Sequence, residues 1–254
     1  MTAPYVKHTI QDGIATIEFF HPAHNSLPGD LLAKLADTIT QAGENDAVKV
    51  LILKSGGDRT FCAGASFKEL VSINDPETGR IFFSGFANVI NAMRKCPKFI
   101  IGRIQGKTVG GGVGLASATD YCMASKFAAI KLSELNVGIG PFVVGPAVER
   151  KLGLTGMSQI AIDANTFYDA QWAMQKGLYA SVHESTQALD TAVQLFAENL
   201  CRYNPEAMSE ITARSASKVS QCSVPAHITF FISDIASGRL VLSDFTKQTL
   251  KTFK

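Results

Sequence analysis

The sequence predicts an α/β fold, with strands and helices alternating through the first two-thirds of the chain and a helix-rich last third. Two observations carry this. Val48 to Leu53 and Phe99 to Ile104 are apolar runs without the alternation of a half-solvated strand, as expected for parallel strands buried on both faces. Between such runs the apolar residues recur at helical spacing. The clearest case is Pro76 to Lys95, where Phe82, Phe83, Phe86, Val89, Ile90 and Met93 share a side. That alternation implies crossover units on a parallel sheet.

In chain order, Tyr5 to Ile10 and Ile14 to Phe20 are apolar runs split by Gln11-Asp12-Gly13, and Asp-Gly between such runs signals a hairpin. His21 to Ser26 is a loop. Pro28 to Ala42 carries Leu31, Leu32, Leu35, Ala36 and Ile39 at helical spacing. The strand from Val48 ends at Ser55-Gly56-Gly57-Asp58. Phe61 to Ala65 is a small-residue turn before a helical segment over Phe67 to Ile73. Pro97 stops the long helix, and the strand from Phe99 delivers the chain into a glycine stretch. Asp120 to Ala124 and Ala128 to Leu132 read as short strands. Then come helices over Val148 to Leu152, Met157 to Ala164, Asp169 to Lys176 and Thr186 to Arg202, with a last short strand at Ala180 to His183. Pro205 to Val219 and Pro225 to Lys247 read as further helices. Leu240, Val241, Leu242, Phe245, Leu250 and Phe253 leave an apolar chain end that needs covering, which points to an oligomer.

The 254 residues are 46% hydrophobic and 18% charged, enough for a large core and far from a disordered composition. A formal net charge of +2 gives no electrostatic case for nucleic acid. The N-terminal MTAPYVKHTI has no apolar signal region, and no stretch approaches the length of a membrane span. The five cysteines (62, 96, 122, 201 and 222) are scattered, which suits a reduced, cytoplasmic setting. Scattered histidines without HxxxH or HExxH argue against zinc. Gly102 to Thr108 falls one residue short of a phosphate-binding P-loop. Gly110, Gly112 and Gly114 do not complete GxGxxG, and no GxSxG elbow exists.

The chemistry concentrates between Gly106 and Pro141. Gly110 to Gly112 lead straight into a small-residue helix over Val113 to Ala118. Glycine allows a close backbone approach, and a helix start presents unpaired N–H groups at the positive end of a dipole. That pairing suits a developing negative charge. Glu134 follows as one carboxylate in an apolar, glycine-rich run. From this local pattern alone, a tight helix–strand contact plus a surface glutamate reads at least as well.

Four ordered segments lift the ambiguity: HPAHNSLPGDLLAKL, VKVLILKSGGDRTFCAGASFKEL, KFIIGRIQGKTVGGGVGLASATDYCMAS and LSELNVGIGP. Together they resemble the crotonase superfamily, the enoyl-CoA hydratase/isomerase family, over nearly the whole chain. The resemblance implies a ββα spiral core over residues 1–195 and a helical trimerisation region over 196–254. It further implies acyl-CoA thioester substrates, no separate cofactor, and assembly as a homotrimer or dimer of trimers. The family's oxyanion hole of two backbone N–H groups carries over to Ala65 and Gly111. By the same resemblance Ala63, Lys68, Phe82, Phe86, Gly110, Gly114 and Phe142 fall at the substrate, with Lys68 toward the CoA phosphates. From the residues themselves, the phenylalanines read equally well as core packing, and Lys68 reads better as an ordinary solvated lysine. Lys247 and Lys251 are further basic residues placed to reach a neighbour's CoA.

Hydratases of this family usually carry two glutamates. The second matches Ser133-Glu134-Leu135, but the position of the first is Gly114. Shifting a double bond from position 3 to position 2 needs only one base, which takes a proton beside the enolate and returns it at the far carbon. The expectation is therefore an isomerase with Glu134 as proton shuttle, its pKa raised by apolar neighbours. A hydratase, including one of methylglutaconyl-CoA type, stays open if Asp120, Glu149, Ser117 or Asn136 positions a water. So does a non-catalytic acyl-CoA binder. Dehalogenase and decarboxylase chemistry uses other acids after GIGP, where Phe142-Val143-Val144 offers none.

Overall fold

The computed structural model describes residues 2–217 and 241–252. Strands β1 (Tyr5–Gln11) and β2 (Ile14–Phe20) form the expected hairpin, with Gln11 paired to Ile14. Asp12 and Gly13 both take positive φ (52° and 81°), the geometry of a two-residue turn whose twist matches its strands. Helix α1 (Gly29–Glu44) leads to β3 (Val50–Ser55). From there the chain repeats one unit three times. β3 and β4 (Thr60–Cys62) precede a short helix α2 (Phe67–Leu70) and the long α3 (Pro76–Lys95). β5 (Phe99–Ile104) and β6 (Lys107–Val109) precede α4 (Gly111–Ala118). β7 (Tyr121–Ser125) and β8 (Ile130–Lys131) precede a single 3-10 turn over Glu134–Val137 and then α5 (Gly145–Ile162). Helix α6 (Ala170–Gln175), strand β9 (Ser181–His183) and helices α7 (Thr186–Leu200), α8 (Pro205–Ser217) and α9 (Asp244–Lys251) follow.

The first strand of each unit enters a six-stranded sheet, ordered β1-β2-β3-β5-β7-β9 and parallel apart from the β1 edge. The second strand enters a small parallel sheet, β4-β6-β8. One consequence governs the site: the C-terminal ends of β4, β6 and β8 emerge side by side, as ligand-binding ends of parallel strands do. Helix α1 packs on β1 and β2, α3 lies against α1, and α4 joins α3 to β4 and β6, all within the main core. On the face of the large sheet opposite that core, α7 buries Leu189, Val193 and Ala197 against Ile14, Val50, Ile52, Ile101 and Met123.

Several expectations shift. α7 crosses the boundary expected at residue 195, because Ala197 is part of its sheet-facing stripe. The two helices expected around Gly153 form one element kinked there, where Gly153 takes φ 69° and breaks the ladder. β6 (Lys107–Val109), to which the sequence assigned no element, is a three-residue strand. The helix expected from Pro225 lies outside the described residues up to 240, as do Val219, Cys222, Leu240, Phe253 and the side chain of Phe245. At its far end Ser243 caps a new helix, its Oγ accepting from Thr246 N at 3.3 Å. Among the described residues no helix is long and apolar enough to cross a membrane.

The two sheets are pinned by main-chain proximity at Gly106. A methyl there would stand 2.3 Å from the Arg59 carbonyl oxygen and 2.5 Å from its carbon. Backbone cannot rotate aside as a side chain can. Gly106→Ala is expected to cost about 1–3 kcal/mol, the usual penalty of overpacking. It should appear as a lower urea midpoint at unchanged slope.

Candidate active site

Two backbone turns and one carboxylate meet at the emerging ends of β4, β6 and β8. After β4 the chain makes Ala63-Gly64-Ala65. Leu27 bridges this turn in parallel fashion, donating to Gly64 O at 2.8 Å while its own carbonyl accepts from Ser66 N at 3.1 Å. In a parallel bridge the intervening residue faces the other way, so the N–H of Ala65 is turned off the bridge. Ser26 Oγ donates to Ala65 O at 2.8 Å and fixes that peptide. Asn25, 3% exposed, holds the approach to Ser26, with its Nδ2 on Gly56 O and Thr60 O at 2.9 Å each.

After β6, Gly110 caps α4 with φ 53° and ψ −118°, a conformation for which a side chain is ill suited. Its N–H donates to Lys131 O at 2.9 Å, holding the turn against β8. Gly111 is the first helical residue, so its N–H has no partner within α4 and points out at the positive end of the helix. The two turns touch: a methyl on Gly64 would lie 3.6 Å from the Gly111 nitrogen. One on Gly112 would lie 2.6 Å from Cys62 O, so α4 starts directly on the end of β4.

After β8 comes Glu134, opening the 3-10 turn. A methyl on Gly110 would lie 3.2 Å from Glu134 Oε1, which places the acid against the second turn. Glu134 Oε2 is buried without a hydrogen-bond partner. Burial strips the carboxylate of water and raises its pKa to about 7, partly opposed by the N–H groups of Glu134 and Ser133. The same residue reaches a cavity of about 330 Å³, which both turns also line.

That raised pKa has a signature in stability. About a unit below the unfolded value of 4.5, both folded and unfolded chains hold the proton and the effect vanishes. Stability then falls as pH rises toward 7, and above that the fold bears the whole cost, on the order of 3 kcal/mol at 1.36 kcal/mol per pKa unit. Glu134→Gln is expected to raise the melting midpoint by several degrees at about pH 8 and to leave it unchanged at about pH 3.5. Thermal melts of both proteins at the two pH values check this.

Of the residues expected at the site, Ala63, Ala65, Phe82, Phe86, Gly110, Gly111 and Glu134 line this one cavity. Three do not. Lys68 sits on the exposed side of α2, whose buried residue is Leu70. Phe142 is 42% exposed, with its ring against Gly140 rather than in the cavity. Gly114 is buried behind Val144: a methyl there would meet Val144 Cγ1 at 2.5 Å and Ile90 Cδ1 at 3.2 Å. Val144 itself lines the cavity, so an isopropyl group fills the space beside position 114.

None of the four residues expected to position a water lines the cavity. Asp120 Oδ2 accepts from Ile100 N at 2.8 Å, and Asn136 Nδ2 donates to Ala164 O at 2.9 Å. Ser117 is fully buried within α4, and Glu149 is exposed on α5. Sequence reasoning missed Ser26, Leu70, Ser133 and Val144 as lining residues, whereas Val137 and Ile139 are among the apolar neighbours it placed around Glu134. Of the four missed, only Ser26 had a local signal, its place beside the structured loop of Asn25.

The family model described as enoyl-CoA hydratase/isomerase matches residues 9–230. The chain belongs to the enoyl-CoA hydratase/isomerase family. Mitochondrial methylglutaconyl-CoA hydratase of Mus musculus is 31% identical over 169 residues, 66% of this chain and 53% of that protein. Peroxisomal Delta(3,5)-Delta(2,4)-dienoyl-CoA isomerase of Arabidopsis thaliana is 28% identical over 224 residues, 82% of this chain and 79% of that one. The match thus spans about half the length of the first of these relatives, at 53%. The structure of enoyl-CoA hydratase from Bacillus halodurans superposes with a TM-score of 0.87 at 19% identity, over 98% of this chain and 99% of that one. At that identity the likeness establishes the fold, which is that of the crotonase-like enzymes. Hydratases and isomerases both stand among the relatives of this family member, so the choice between them falls to the chemistry of its own cavity.

Proposed function

We propose that this enoyl-CoA hydratase/isomerase family member isomerises a 3-enoyl-CoA to the 2-enoyl-CoA. The backbone N–H groups of Ala65 and Gly111 hold the thioester oxygen, and the Glu134 carboxylate removes a proton from the carbon beside the carbonyl. The electron pair moves into an enolate conjugated with the double bond. Protonated Glu134 returns the proton to the carbon two further along, so no atom or electron is gained or lost. A base with a pKa of about 7 is suited to both halves of this cycle near neutral pH.

The observation that carries the proposal is that Glu134 is the one ionisable side chain among the described residues lining the cavity. Hydration needs a second group to hold and activate water, and Val144 occupies the space beside Gly114. Apart from the enoyl thioester, the shuttle requires no cofactor. The acyl-CoA partner and assembly as a homotrimer or dimer of trimers belong to the same proposal, and light scattering of the purified protein tests the assembly. Incubation with 3-hexenoyl-CoA and 2-hexenoyl-CoA tests the reaction. Isomer without hydrate is expected. Hydrate formed faster than isomer would make it a hydratase, as the name of its mouse relative suggests for that protein. Neither product would leave a non-catalytic binder.

A further inference from the structure

We infer that the acyl group taken by this site is an uncharged hydrocarbon tail, and that a tail ending in a carboxylate is rejected by the wall around Phe82 and Phe83. This rests on the acyl-CoA reading above and specifies its substrate class.

The cavity has two unlike ends. Its polar end is the pair of backbone turns with Glu134. Its other wall is Leu70, Phe82, Phe83, Val137 and Ile139, with Phe82 and Phe83 meeting edge to face at 5.0 Å. A second apolar layer backs this wall. Leu70 and Ile139 form one buried cluster with Val241 and Leu250, 2% and 6% exposed, from the C-terminal segment and α9. Thr246 Oγ1 donates to Gly138 O at 3.1 Å and fastens α9 to the loop after the 3-10 turn. A thioester whose oxygen lies on the turns must send its polar CoA arm to solvent. Its acyl tail is then left with the apolar wall.

A carboxylate at the tip of that tail would lose its water in a double layer of hydrocarbon. The ionisable neighbour it would find among the described lining residues is another acid, Glu134. Of the two serines lining the cavity, Ser26 has its hydroxyl committed to Ala65 O, and Ser133 is the chain neighbour of Glu134 at the polar end rather than part of the apolar wall. An unpaired charge buried in this way is heavily penalised. A methylene in the same place gains affinity instead, by about fourfold each.

Saturated thioesters measure this without turnover. Calorimetric titration of the purified protein with CoA, butyryl-CoA, hexanoyl-CoA and adipyl-CoA keeps the CoA arm constant. Hexanoyl-CoA is expected to bind about tenfold or more tighter than butyryl-CoA. Adipyl-CoA, with the same number of acyl carbons, is expected to bind at least about 100-fold weaker than hexanoyl-CoA. In folded Phe82→Arg, a cation in the wall should narrow that gap at least about tenfold, and an unchanged gap counts against the wall. Adipyl-CoA binding within about threefold of hexanoyl-CoA overturns the inference while leaving the acyl-CoA reading intact. So does hexanoyl-CoA binding no tighter than CoA itself. If none of the thioesters binds, the proposed function falls as well.

Discussion

Glu134→Gln is expected to lower turnover of 3-hexenoyl-CoA by about 100- to 10,000-fold, the range that a positioned acid–base contributes. The amide is nearly the shape of the carboxyl it replaces, and it carries no charge into a site where Oε2 already lacks a partner. Binding of hexanoyl-CoA should therefore stay within a few-fold of the parent protein. The loss should fall on kcat, as expected for a group that acts on the reacting proton rather than on the bound ground state. In the parent protein, kcat/KM should rise with pH through a midpoint near 7, because the carboxylate must start unprotonated. At about pH 8 the variant should also melt higher, since it escapes the cost of a buried charge. Gain of stability with loss of turnover is hard to obtain from a merely structural residue. Full activity in Glu134→Gln, or a flat pH profile, would remove the acid from the mechanism.

The sequence made the large sheet and the long helices legible because their patterns are long. Val50 to Leu53 and Phe99 to Ile104 are buried on both faces, and α3 shows its stripe over twenty residues. The small sheet has three, three and two residues per strand, too few for any period to show, yet it is this sheet that gathers the site. The turns at Ala63 to Ala65 and Gly110 to Gly112 were legible because close backbone packing admits only small residues, a need that acts locally. Side-chain direction was not. Lys68 and Phe142 are close in sequence to lining residues, but a helix face and a loop turn them outward. Likewise the sequence shows an acid missing at Gly114, while the valine thirty residues later that occupies its surroundings is visible only once α4 and α5 are packed.

Gly110→Ala is expected to lower turnover by about 100- to 1000-fold, the typical effect of losing one oxyanion donor. Gly110 is held at φ 53° and ψ −118° between β6 and α4. An alanine there has two courses. If the backbone stays, the residue is strained by about 1–3 kcal/mol and its methyl, 3.2 Å from Glu134 Oε1, pushes the carboxylate slightly off its position against the second turn. If the backbone relaxes, the peptide joining residues 110 and 111 rotates, and the N–H of Gly111 leaves the cavity. Both courses damage the proposed chemistry, so the effect should far exceed the loss of stability. Gly57→Ala separates the two. Gly57 also has positive φ, 82°, but a methyl there meets nothing within 4 Å. That variant should lose about as much stability and keep its turnover. If Gly110→Ala retained turnover within about threefold, the second turn would not be an oxyanion donor. If Gly57→Ala lost activity as severely, the effect would belong to backbone strain in general and not to where the Gly111 amide points.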